Sequence, residues 1–165
     1  MAGPGNNFDW FIGTWTSEQR RLREPLTGSD EWYSFPGTHR SWTVLDGAGN
    51  FDEAVFPTEG FSGVTLRLYD AARDEWSLYW ASSRTGILSL PPVVGRFGAD
   101  GRGVFTGDDV YADHPIVCRY VWSDITAETA RWEQAFSTDG GATWEDNWIG
   151  EFSRADGRQP QSQVE

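Results

Sequence analysis

The sequence predicts an all-β fold: a single antiparallel up-and-down β-barrel of nine or ten short strands, preceded by a short helical turn. Three observations predict it. Clusters of turn-forming residues, such as Asp46-Gly47-Ala48-Gly49-Asn50 and Thr138-Asp139-Gly140-Gly141, recur at short intervals along the chain. Between them apolar and polar residues alternate with the two-residue period of a half-buried strand, and no window carries a 3.6-residue apolar period. Aromatic residues make up 15% of the 165 residues, with 10 Trp, 10 Phe and 5 Tyr, so the interior is built of rings.

In chain order, Phe8-Asp9-Trp10-Phe11 reads as a single helical turn, and strands are expected over 13–22, 39–45, 50–56, 104–111 and 116–123. Two hairpins can be read in register. Around Asp70 to Asp74, pairing Leu68 with Trp76 sets Leu66 opposite Leu78 and Val64 opposite Trp80 on one apolar face, leaving Thr65, Arg67, Tyr69 and Tyr79 on the wet one. In the C-terminal hairpin, Ala130, Trp132, Gln134 and Phe136 share a face with Trp144, Asp146, Trp148 and Phe152. Sequential hairpins of this kind favour a closed barrel, which also removes exposed sheet edges. The domain is expected to span residues 1–154, with 155–165 as a polar, disordered tail.

Gly13-Thr14-Trp15 on the first strand resembles the Gly-x-Trp of lipocalin-like (calycin) barrels. The segments Arg119-Tyr120-Val121-Trp122 and Ala130-Arg131-Trp132-Glu133-Gln134-Ala135-Phe136-Ser137, with Thr143-Trp144-Glu145, resemble bacterial lipocalin-like proteins of unknown function. The resemblance implies a barrel with an internal pocket and brings no catalytic set with it. Nitrobindin-like haem barrels extend the motif to Gly-x-Trp-x-Gly-x-Gly, but Ser17 and Gln19 stand at those glycines here, and no proximal histidine lies near the C-terminus. Ser137 to Trp144 also matches the Asp-box of sialidase propellers. A single copy in a short chain is read as a hairpin turn, with Asp139 accepting backbone N–H bonds.

Thirteen Lys+Arg against 25 Asp+Glu give a formal charge of -12, a field that repels phosphate backbones, so no nucleic-acid partner is expected. No apolar run approaches the length of a membrane span. The N-terminus lacks the basic and apolar segments of a secretion signal, and Cys118 is the one cysteine, which together point to a cytoplasmic protein without disulfides. Two histidines far apart in sequence make no metal-ligand pattern, and no cofactor is expected.

The candidate site follows from alternation. Trp76, Trp80, Trp132, Phe136 and Trp148 are the expected ligand-contacting rings, with Gln134 and Arg119 as polar contacts. Asp146, set among tryptophans, is the leading candidate acid or base; His114, beside Asp113 at a strand start, and Tyr120 are the others, with Glu53 behind them. Which face of the 116–123 strand is interior stays open between Arg119 and Tyr120. Three functions compete: a cavity that binds a small apolar or aromatic molecule, an acid–base enzyme acting on such a molecule, and a filled barrel that dimerises through surface aromatics such as Trp32, Tyr33, Tyr69 or Tyr79. A paired carboxylate in the interior favours binding, and an unpaired, desolvated one favours catalysis.

Overall fold

A computed structural model describes residues 8–155 and has ten strands: β1 (Gly13–Leu22), β2 (Trp32–Val44), β3 (Gly49–Phe56), β4 (Phe61–Asp70), β5 (Glu75–Ser82), β6 (Val93–Phe97), β7 (Gly103–Tyr111), β8 (His114–Ser123), β9 (Thr129–Ser137) and β10 (Glu145–Arg154). Every strand pairs antiparallel with its sequence neighbour, and β1 pairs with β10 to close the barrel. The tail expected from residue 155 lies, from residue 156 on, outside the described residues. No helix among the described residues is long and apolar enough to cross a membrane.

One end of the barrel is plugged. The 3-10 turn Asp9–Phe11 precedes β1, and Phe8 and Phe11 pack against Trp15, Trp76, Phe105 and Trp122. The Trp15 indole N–H donates to the Phe11 carbonyl oxygen at 2.8 Å. Arg154, at the end of β10, donates to the carbonyl oxygens of Trp10, Ile12 and Ala127 while its guanidinium lies 4.3 Å over the Trp15 ring. The last strand thus ties down the first turn.

Three departures from the sequence reading have physical causes. β2 begins at Trp32, seven residues before the expected start at His39, because Pro36 is tolerated there: it pairs with Glu18 of β1, while β3 joins β2 only from Thr38 onward, so no ladder bond is lost on that side. β6, a five-residue strand, was not among the expected ones.

The third departure concerns the β4–β5 hairpin, whose true partner of Trp76 is Tyr69. The turn is one residue longer than expected, since the Asp70 carboxylate accepts the N–H groups of Ala72 and Arg73, and Asp74 adopts a φ of 53°. A one-residue slip exchanges the faces of a strand. Thr65, Arg67 and Tyr69 therefore face inward, and Val64, Leu66 and Leu68 face outward, while Trp76, Leu78 and Trp80 remain inside as expected.

Candidate functional site

Away from the plug, the packing divides. One cluster is Phe35, Phe56, Phe61 and Trp148; the other is the plugged core, which continues along β7 to β9 through Ile116 and Phe136. Between them lies a cavity in which the space open to the centres of water-sized spheres is about 70 Å³. At about 10–15 Å³ of that measure for one water, it holds several waters or a molecule of one or two rings.

The walls are flat. Trp80 and Trp132 both stand nearly perpendicular to Trp148, at centroid distances of 6.4 and 5.5 Å, and Tyr120 meets Trp132 edge-on at 5.2 Å. Trp80 can lie where it does because Gly63 sits diagonally across from it on β4: a Cβ there would meet its ring at 2.0 Å.

Two polar systems cross this aromatic frame. In the first, the Trp148 indole N–H donates to Gln19 Oε1 at 2.7 Å, Gln19 Nε2 donates to Ser17 Oγ at 2.7 Å, and Ser17 Oγ lies 2.7 Å from His39 Nε2. Ser17 and Gln19 face inward because they follow Trp15 at two-residue steps along β1. Burial, helped by the Arg67 charge, lowers the His39 pKa to about 3, so the imidazole is neutral. In the second system, Arg67 of β4, 3% exposed, donates from Nη1 to Asp52 Oδ1 at 2.5 Å and to Asn50 Oδ1 at 3.0 Å. Its guanidinium lies 5.1 Å from the ring centres of both Phe8 and Phe11, and its Nε–H is buried without an acceptor. Burial pushes the Asp52 carboxyl up, with the Arg67 charge opposing.

Of the expected contacts, the structure gathers Trp80, Trp132, Gln134 and Trp148 around the cavity, together with Tyr120, a candidate acid or base. Tyr120 faces inward, which settles the orientation of β8, and burial pushes its phenol up. Trp76 and Phe136 are buried in the packed core and do not line the cavity.

The remaining candidates lie elsewhere. A bulge in β10, where Asp146 pairs with Ala135 but Trp148 pairs with Gln134, reverses the alternation at Asn147. Asp146 consequently sits on the outer surface, 3.9 Å from Arg119, which stacks on Trp144 at 4.3 Å; neither Asp146 nor Arg119 reaches the interior. Asn147 takes the inward place beside Gln134, whose Nε2 donates to it at 2.9 Å. His114 is exposed at the start of β8, at the end of the barrel away from the plug, and Glu53 is exposed on β3.

The Asp-box segment is a turn. Asp139 accepts the Thr143 N–H at 2.8 Å and the Thr143 hydroxyl at 2.5 Å, bonds that hold its carboxyl down at about 2. Cys118 is buried, its thiol pushed up to about 12 by burial and Asp109. Tyr33 and Tyr69, considered as surface aromatics, turn inward onto Phe35 and Trp76. Among the described residues, no three His, Cys, Asp or Glu side chains come together as a metal site would require.

Ser17, Gln19, Asn50, Asp52, Thr65, Arg67 and Asn147 were missed as site residues. The first two were legible from the parity of Trp15. Arg67 was hidden by the misread turn, and Asn147 by the bulge.

No protein-family model matches the chain, and no curated protein does. Among solved structures, an S-type phycobiliprotein lyase from Guillardia theta is similar over 93% of this chain and 96% of its own, with a TM-score of 0.58 and 11% sequence identity. The likeness is one of fold.

Proposed function

We infer that the chain binds one small, largely apolar or aromatic molecule inside the barrel. The observation that carries this reading is the cavity itself, a pocket lined by Trp80, Trp132 and Trp148. Flat aromatic walls offer apolar area and edge-on ring contacts, and Gln134, Tyr120 and the Arg67–Asp52 pair offer a few fixed polar contacts that orient a ligand.

Two features favour binding over acid–base catalysis. The cavity carboxylate is Asp52, and it is paired with Arg67. The imidazole that shares the cavity accepts or donates within a chain of buried side chains, and its lowered pKa makes it a weak base.

The test is quenching of tryptophan fluorescence on titration with naphthalene, with the added compound recovered and weighed by mass spectrometry. Saturable quenching by unchanged naphthalene is expected, and Trp132→Ala should weaken it. Because Trp132 is a half-buried wall residue, its truncation should cost less stability than the roughly 3–5 kcal/mol of a fully packed tryptophan. No saturable response would overturn the binding reading, and a mass change in the recovered compound would replace it with the catalytic one.

A further inference from the structure

We propose that the rim of the barrel away from the plug is an anion-capturing site, so that the ligand is a flat apolar molecule carrying one carboxylate or similar anionic group. This rests on the binding reading above and adds the ligand's charge and orientation to it.

Two arginines stand against the aromatic cluster around Trp148. Arg21 is the direct cross-strand neighbour of Trp148, so its side chain faces inward at the end of β1 that lies away from the plug, and its guanidinium stacks 4.2 Å from the Trp148 ring centre. Arg84, in the loop between β5 and β6, stacks 4.1 Å from the Phe61 ring centre and donates to the Glu59 carbonyl oxygen at 3.1 Å. The Trp148 and Phe61 rings are themselves 6.5 Å apart, so both cations lie against one aromatic cluster, whose Trp148 lines the cavity.

Neither arginine has a carboxylate partner among the described residues, although the chain carries a charge of -12. Of the acids on the same end of the barrel, Glu31 pairs with Arg23 at 3.1 Å, Glu145 accepts the Leu26 N–H at 2.8 Å and Asp139 is held within its own turn, while Glu59 meets Arg84 through its backbone carbonyl. Two guanidiniums without carboxylate partners, set against an aromatic cluster that reaches the cavity through Trp148, form a local positive site in a negative molecule.

Electrostatics also places the anionic group at the rim. Arg67, the deep cation, is already neutralised by Asp52. A second anion at that depth would lose its hydration without a free counter-charge, whereas at the rim it keeps part of its water and gains two charge-assisted donors. The ring system then points down between Trp80 and Trp132.

The test compares naphthoate with its uncharged isostere naphthalenemethanol by fluorescence titration. The wild-type protein should bind naphthoate more tightly by about three- to tenfold at low salt, as expected for partly exposed charge-assisted contacts. That preference should shrink as salt screens the rim. The double variant Arg21→Gln/Arg84→Gln should lose the preference and keep its affinity for the alcohol, and Arg21→Lys/Arg84→Lys should retain the preference. Equal binding of the two compounds, or a preference that survives the double glutamine variant, would overturn the anion site and leave the cavity reading standing. Failure of both compounds to bind would remove the cavity reading and this proposal with it.

Discussion

His39 shows what the interior demands of a single side chain. Its pKa falls from the ordinary 6.5 to about 3, first through burial and second through the Arg67 charge. The unfolded chain therefore takes up a proton below about 6.5 that the folded chain refuses until about 3. This group's stabilising contribution is complete above that window and is lost through it as pH falls, by about 1.4 kcal/mol per pH unit within it. Asp52, whose pKa is raised, acts with the opposite sign, so a comparison with His39→Gln isolates the histidine. The variant should show a flatter fall in melting temperature across the window; a profile parallel to the wild type would contradict the account.

Arg67→Met would leave Asp52 buried without its partner, at a cost of about 3–5 kcal/mol in urea denaturation at neutral pH. The lone carboxyl would then hold its proton to higher pH than in the unfolded chain. Its deficit relative to wild type should therefore shrink as pH falls, and a deficit independent of pH would show that the lost interaction is packing alone. Arg67 was illegible in the sequence for a plain reason: an arginine flanked by Leu66 and Leu68 is assigned to the wet face, because a buried arginine is rare without a partner and the partner, Asp52, lies on another strand.

At the scale of elements, alternation recovered the positions of most strands and the inner faces of β5 and β9, while it left the face of β8 open. It failed where the backbone adds a residue. The longer β4–β5 turn reversed the face of β4, and the β10 bulge exchanged Asp146 for Asn147; both depend on turn and ladder geometry that a binary pattern does not contain. The same pair of strands carries a prediction for the site. Gly63 of β4 leaves room for the Trp80 ring of β5, and any side chain there must displace it. Gly63→Ala should weaken naphthalene binding while the urea m-value stays unchanged, which marks a fold that still buries the same surface. Unaltered binding would mean that Trp80 does not form the working wall.

For the whole molecule, closure and plugging determine where a ligand can go. The first and last strands meet through seven paired residues, and Arg154 fastens the turn that fills one end. The packed cluster at that end and the separate cluster around Trp148 leave the space between them as the interior site. Composition alone foretold the aromatic interior and the acidic surface. It could not place the boundary between the filled and the hollow parts, because both are built of the same rings.

The measurement that tests the hollow-chamber account most directly is a nitrogen-15 correlation spectrum of the tryptophan indole N–H groups during naphthalene titration. Each indole reports its own position. The signals of Trp80, Trp122, Trp132 and Trp148, which line the cavity, should shift together and saturate, while those of Trp42 and Trp144, on the outer surface, should stay in place. Shifts confined to the outer indoles, or none at saturating naphthalene, would contradict a ligand site inside the barrel.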